Sequence, residues 1–250
     1  MNGLGWIVVA LLAPYVPAIA AGSAAIAAIA AVMLLLAPKR FYFVRHGETI
    51  LNAKHIRQSA EGGLSENGRA QAERAGTYLA QFPITRIVAS PYERTRETAA
   101  IINTHLHVPI QYSKLLTERR NPSEIIGKSG LDPEIERIVD EMDKAYHDDT
   151  YRFSDEENFT DLRDRARRAL AMLSHQGAHD ICVVTHSIFL KMLIAYLLYR
   201  KKLHAADYTK LAFFNTADNA GITICEFHPW RIFSATRGWE IIAFNEHPAE

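Results

Sequence analysis

The chain has 250 residues, 28 Lys and Arg against 28 Asp and Glu, and 48% hydrophobic residues. Balanced charge with no long basic run excludes a nucleic-acid binder held by phosphate neutralisation, and two cysteines, Cys182 and Cys225, are too few for a disulfide framework and are not spaced as a metal clip. Both stand in apolar, strand-like runs and are expected to be buried free thiols. The charges are unevenly placed: none precedes Lys39, and about a quarter of the residues from there on are charged, a normal share for a globular domain. The chain therefore divides into an apolar segment, 1–38, and one domain, 39–250.

As a helix, residues 3–37 would span roughly 50 Å, more than one bilayer core of about 30 Å and short for two spans with a turn. The pattern predicts one transmembrane helix over 18–37, with Pro17 at its start and a kinked or interfacial stretch around Pro14 before it. A cleaved signal peptide fits less well, because the first residues carry no Lys or Arg and apolar chain would remain after a cut near Ala20. Lys39 and Arg40 follow at once. The positive-inside rule then makes this a single-pass membrane protein with its domain in the cytoplasm.

Residues 40–45 (RFYFVR) predict a first strand ending at a glycine turn. A helix follows over 65–82, with Ala72, Ala75, Leu79 and Phe82 on one face. A second strand is expected at 84–90, a helix at 91–105 with proline in its first turn, and a short third strand at 108–112. Residues 133–147 and 159–176 read as two further helices. In the second, Asp161 with Arg165 and Asp164 with Arg168 stand four apart, opposite a stripe of Phe159, Leu162, Ala166 and Leu170. That pattern reads as a solvated face over a packed one, with no chemistry. A strand at 179–186 leads into an apolar helix at 188–199, and three short strands at 221–227, 231–235 and 239–244 finish one edge of the sheet as hairpins. The fold class is α/β: a three-layer α/β/α sandwich with a mainly parallel central sheet.

In such sheets ligands collect at the carboxyl ends of the strands. Three strands bring polar residues to that edge: Arg45, His46 and Gly47; Ser90 leading to Arg94; and Thr185, His186 and Ser187. Two arginines and two histidines suit a phosphate, since guanidiniums bind its oxygens in fork geometry and a neutral imidazole nitrogen can attack phosphorus. Gly47 is expected to permit a backbone conformation and a close ligand approach that a side chain would forbid. His105 and His107 alternate along a strand-like stretch, but no third ligand lies close in sequence. Solvent exposure is expected there, and no metal.

The segments FVRHGET (43–49) followed by Asn52, LSENGRAQA (64–72), SPYERTRETA (90–99), LTER (116–119) and VVTHS (183–187) come in the order and spacing of a known pattern. Together they resemble the histidine phosphatase superfamily, which includes the cofactor-dependent phosphoglycerate mutases, over about residues 41–244. The resemblance implies a phosphoglycerate mutase-like fold and a phosphatase that hydrolyses a phosphomonoester, on a phosphorylated small molecule or a phosphoprotein, with no metal or other cofactor. It makes His46 the nucleophile that becomes phosphohistidine and Arg45 and Arg94 the guanidiniums on the phosphoryl group. His186 would steady the transition state, Glu118 would give the leaving oxygen its proton and later activate water, and Asn52 would touch the phosphate pocket. Phosphoryl transfer needs positioning and positive charge more than covalent chemistry, which agrees with these roles. The alternatives are a phosphoglycerate mutase and a non-catalytic phospho-ligand binding module. Residues 58–64 and the loop after Glu118 depart from the family pattern, which weakens the mutase reading more than the phosphatase one. Arg119, Arg120 and Lys128 fit an anionic substrate and plain surface charge equally well.

Overall fold

The computed structural model describes residues 36–144, 148–214, 217–231 and 233–247. The helix expected over 18–37 lies almost wholly outside them, and among the described residues no helix is long and apolar enough to cross a membrane. The spine of the domain is β1 (Lys39–Arg45), in which Phe41 and Phe43 face one side and Tyr42 and Val44 the other, all four fully buried. A strand apolar on both faces belongs between two layers of helices. On the Phe41 side lie α5 (Phe159–Ser174), α6 (Ser187–Tyr199) and α7 (Ala205–Phe214), which contribute Leu162, Leu170, Phe189 and Tyr208. The Tyr42 side is covered by α2 (Glu66–Leu79) and α3 (Glu93–Leu106), through Ala75, Leu79, Ala99 and Ile102.

The six strands run in the order β3 (Ile110–Tyr112), β2 (Arg86–Ala89), β4 (Asp180–Thr185), β1, β5 (Ile222–Phe227), β6 (Trp239–Glu246). The first four are parallel neighbours, whereas β5 runs antiparallel to β1 and to β6. The sheet is therefore mixed: parallel over four strands, with the antiparallel β5 and β6 finishing one edge. Helical crossovers return the chain to the same edge along the first four strands. After β4 the chain passes through α6 and α7 and meets the carboxyl edge again at the start of β5, where the Arg45 amide donates to the Gly221 carbonyl. β5 therefore runs back, and the β5–β6 connection turns the chain once more. Cys182 of β4 and Cys225 of β5 are free and buried, and burial pushes each thiol up to about 12.

Between β3 and β4 the chain makes an excursion through α4 (Pro133–Lys144), whose Ile135, Ile138 and Met142 pack with Ile125 in a cluster of their own. Two helices were not visible as patterns: the single turn α1 (Ile50–Ala53) and α7, whose sequence AADYTKLAFF shows no polar stripe. The strand expected at 231–235 is absent. A 3-10 turn at Pro229–Arg231 is followed by turns in which Arg237 and Gly238 take φ of 49° and 87°, a left-handed backbone no strand can follow.

Gly47 serves a different end from the one expected of it. Its φ is not left-handed, and a Cβ there would lie 2.3 Å from the Gly68 carbonyl oxygen, while one on Gly68 would lie 1.9 Å from that of Glu48. The two glycines let the loop after β1 press backbone to backbone on the first turn of α2, which Ser65 caps through its hydroxyl to the Gly68 amide at 3.0 Å. Gly68→Ala should lower the unfolding free energy by about 1–3 kcal/mol, because a rigid backbone must move aside. A denaturation curve unchanged by the substitution would contradict that contact.

Candidate active site

The carboxyl ends of β1, β4 and β2 bring their polar residues to one place, as the sequence pattern expects. His46 is held by its backbone: its amide donates to the Thr185 carbonyl at 3.0 Å and its carbonyl accepts from Asn219 Nδ2 at 2.9 Å. In the ring, Nδ1 lies 2.7 Å from the Gly47 carbonyl, which can only accept, so Nδ1 carries the proton and Nε2 keeps a lone pair. Arg94 Nε donates toward that Nε2 at 3.3 Å. Burial, with the Arg94 and Arg45 guanidiniums beside it, holds His46 well below the usual histidine range, so the imidazole is neutral.

His186, the residue before α6, is fully buried with its ring 5.1 Å from that of His46. Its Nε2 lies 2.9 Å from Ser90 Oγ, and its Nδ1 is buried without a hydrogen-bond partner among the described residues. Ser90 Oγ accepts from the Tyr92 amide at 3.3 Å and keeps an O–H that can donate to Nε2, an arrangement that would place the His186 proton on Nδ1. Burial first, then His46 and the nearby guanidiniums, hold His186 well below the usual range as well.

The two arginines are anchored on carbonyls. Arg94, 3% exposed at the start of α3, donates to the Ser59 carbonyl at 2.8 Å and lies 5.1 Å above the Tyr92 ring. Arg45 donates to the Ala217 carbonyl at 2.6 Å, and its Nε is buried without a partner among the described residues. Glu118 is the acid whose field reaches both. Its Oε1 accepts from the amides of Phe189 and Arg119, each at 3.0 Å, and its Oε2 from that of Ile188 at 3.2 Å, so the carboxylate sits on the N-terminus of α6. Asn52 is placed by α1, where its amide donates to Thr49 Oγ1 at 3.0 Å, and its Oδ1 is buried without a partner among the described residues. All six residues singled out in the sequence thus lie around the end of the sheet. A cleft of about 500 Å³ passes Tyr92, Thr117 and Glu118 and reaches Arg120 and Arg165.

Arg165 overturns the solvated-face reading of α5. It is buried, takes both oxygens of Glu157 at 2.6 Å each, and donates to the carbonyls of Leu115, Thr117 and Glu118 at 3.1, 2.7 and 3.3 Å. It pins the segment that carries Glu118, while Asp161 pairs with Arg152. An Asp–Arg pair four apart cannot be told from surface charge in a sequence. Asn219, also missed, sits in an Asn-Ala-Gly turn, a signal that was available. His105 is half-buried and pairs with Glu73 of α2 at 2.7 Å rather than standing in solvent, and exposed His107 ends α3 at a φ of 53°.

The family model of the histidine phosphatase superfamily (branch 1) matches residues 41–239. The chain is 30% identical over 161 residues to the "Probable phosphoglycerate mutase GpmB" of Erwinia tasmaniensis, covering 63% of this chain and 74% of that one. It is 31% identical over 156 residues to the "Uncharacterized phosphatase PhoE" of Bacillus subtilis, covering 60% and 73%. A mycobacterial glucosyl-3-phosphoglycerate phosphatase superposes with a TM-score of 0.65 at 22% identity, over 84% of this chain and 99% of that one, a likeness of fold.

Two measurements test this geometry. With Ser90 as the donor to Nε2, Ser90→Ala should change the imidazole 15N spectrum of His186 from a single Nδ1–H form to a mixture; an unchanged spectrum would separate the serine from the tautomer. Stability should also depend on pH through the two buried histidines. Their folded pKa values lie below the unfolded value of about 6.5, so the unfolded chain binds more protons and stability falls as pH drops from 7 toward the folded values. The slope is up to about 1.4 kcal/mol per pH unit for each histidine. The His46→Asn/His186→Asn variant should lose stability less steeply between pH 7 and 5, and equal slopes would count against neutral histidines.

Proposed function

Because the chain belongs to the histidine phosphatase superfamily, we propose that it hydrolyses a phosphomonoester through a phosphohistidine at His46. The observation that carries the reading is the His46 ring itself, proton committed to the Gly47 carbonyl and Nε2 lone pair directed among the guanidiniums. In the first step Nε2 attacks phosphorus, the bond to the leaving oxygen breaks, and Glu118 gives that oxygen its proton. Arg45 and Arg94 take the equatorial oxygens, the Nδ1–H of His186 donates to another, and Asn52 borders the pocket. In the second step Glu118 takes a proton from water, the hydroxide oxygen bonds to phosphorus, and the N–P bond breaks. Phosphate leaves, and His46 is neutral again.

The cleft beside Glu118 has the volume of a small-molecule site, which favours a phosphorylated small molecule over a phosphoprotein. The relative named as a mutase supports a second reading, in which the phosphoryl group returns to the substrate instead of passing to water. We also propose that residues 18–37 tether the domain to the membrane with the catalytic domain in the cytoplasm, on the strength of an apolar run without charge before Lys39 and Arg40.

The full chain in detergent micelles, given a panel of phosphomonoesters with a metal chelator, should release phosphate, and His46→Ala should lower the rate at least a thousandfold. Release that survives His46→Ala would overturn the nucleophile. Transfer from a phosphorylated glycerate without net release would favour the mutase.

A further inference from the structure

The sheet has a second polar edge. β1 runs from Lys39 to Arg45, so at about 3.3 Å per residue His46 lies roughly 23 Å from the point where the apolar segment joins the domain. The start of β4 and the C-terminal ends of α5 and α6 share the Lys39 edge. So does the β5–β6 connection, because Lys39 pairs with Phe227 in register. These pieces enclose a groove of about 1330 Å³, remote from the two histidines.

Lys39, Arg167, Arg200, Lys201, Lys202 and Arg237 line this groove, and among the described residues no Asp or Glu does. Lys39 is spent on the carbonyls of Ser174 and Gln176, which fixes the join at this edge. Among the described residues Arg200, Lys201, Lys202 and Arg237 make no ion pair. Arg200 ends α6 in a left-handed turn (φ 56°, ψ −132°) over the Tyr196 ring at 5.6 Å, with Nε and Nη2 buried and without hydrogen-bond partners, and Arg237 lies close enough to repel it. Large apolar side chains stand exposed around these cations: Leu198 and Tyr199 of α6, and Trp230 and Phe233 of the β5–β6 connection, the last 94% exposed.

We propose that this face docks on an anionic phospholipid leaflet, with lysine and arginine at the headgroups and the aromatic side chains at the interface. The tethering reading adds the orientation: the chain enters the domain at this same edge, so the catalytic edge faces water. The substrate is then a phosphoester reached from the aqueous side, not a headgroup of the supporting leaflet. The chain's own apolar segment is the rival occupant, but residues 1–38 contain no Asp or Glu and cannot neutralise the groove.

The test uses the full chain carrying a polarity-sensitive dye at Phe233→Cys, since Cys182 and Cys225 are buried. A second preparation carries it at Leu131→Cys, which is 72% exposed on the loop whose Ser129 bridges Ile56 beyond α1. Each is reconstituted in vesicles of phosphatidylcholine alone or with about a third phosphatidylserine. Docking predicts that the Phe233 dye shifts to the blue only with phosphatidylserine, that the Leu131 dye stays in water, and that Lys201→Ala and Lys202→Ala each lower the docked-to-free ratio about fivefold. A Phe233 dye that stays in water in both vesicles, one shielded equally in both, or shielding at Leu131 instead would overturn the proposal. The tether is read separately, by whether alkaline carbonate strips the protein from neutral vesicles.

Discussion

Two guanidiniums are buried beside two imidazoles at the end of the sheet, and positive groups taken out of water in one place repel one another. The chain meets this by tying Arg45 and Arg94 to the carbonyls of Ala217 and Ser59, and by keeping both histidines neutral. Among the described residues neither arginine is tied to a carboxylate; Glu118 acts on them through its field, its oxygens engaged by backbone amides at the start of α6. What results is a pocket of fixed positive potential with one nucleophilic lone pair in it, the electrostatic complement of a phosphoryl group.

The rest of the domain reads as support for that arrangement. β1 carries both members of the Arg45–His46 pair and is clamped on either side, by Thr185 of β4 and by the turn holding Asn219 before β5. The Glu118 segment is fastened from below, since Arg165 gathers three of its carbonyls and Thr185 Oγ1 donates to that of Leu116 at 2.8 Å. These fastenings come from distant parts of the chain, and a displacement of about 1 Å at any of them would reach the reacting atoms.

Much of this was legible in the sequence because it is local. The alternation in β1, the apolar stripes of α2 and α5, and the polar residues at the strand ends are patterns of a few residues with one physical reading each. What stayed hidden depends on distance in the chain. Arg165 looks like surface charge until Glu157 and the 115–118 carbonyls surround it, and Gly47 is needed by Gly68 some twenty residues on. The basic groove escaped for the same reason: beyond the short run Arg200–Lys202 its cations come from Lys39, from Arg167 of α5 and from Arg237 of the β5–β6 connection, far apart in the chain.

On the proposed function, His46 meets phosphorus through Nε2 because Nδ1 is held by the Gly47 carbonyl. Mixing the full chain with a phosphomonoester, quenching in alkali within one turnover and assigning the phosphohistidine isomer by 31P and 15N correlation tests it most directly. Phosphate is expected on Nε2 of His46. Phosphate on Nδ1, on His186, or on neither histidine in a chain that turns the ester over would contradict it.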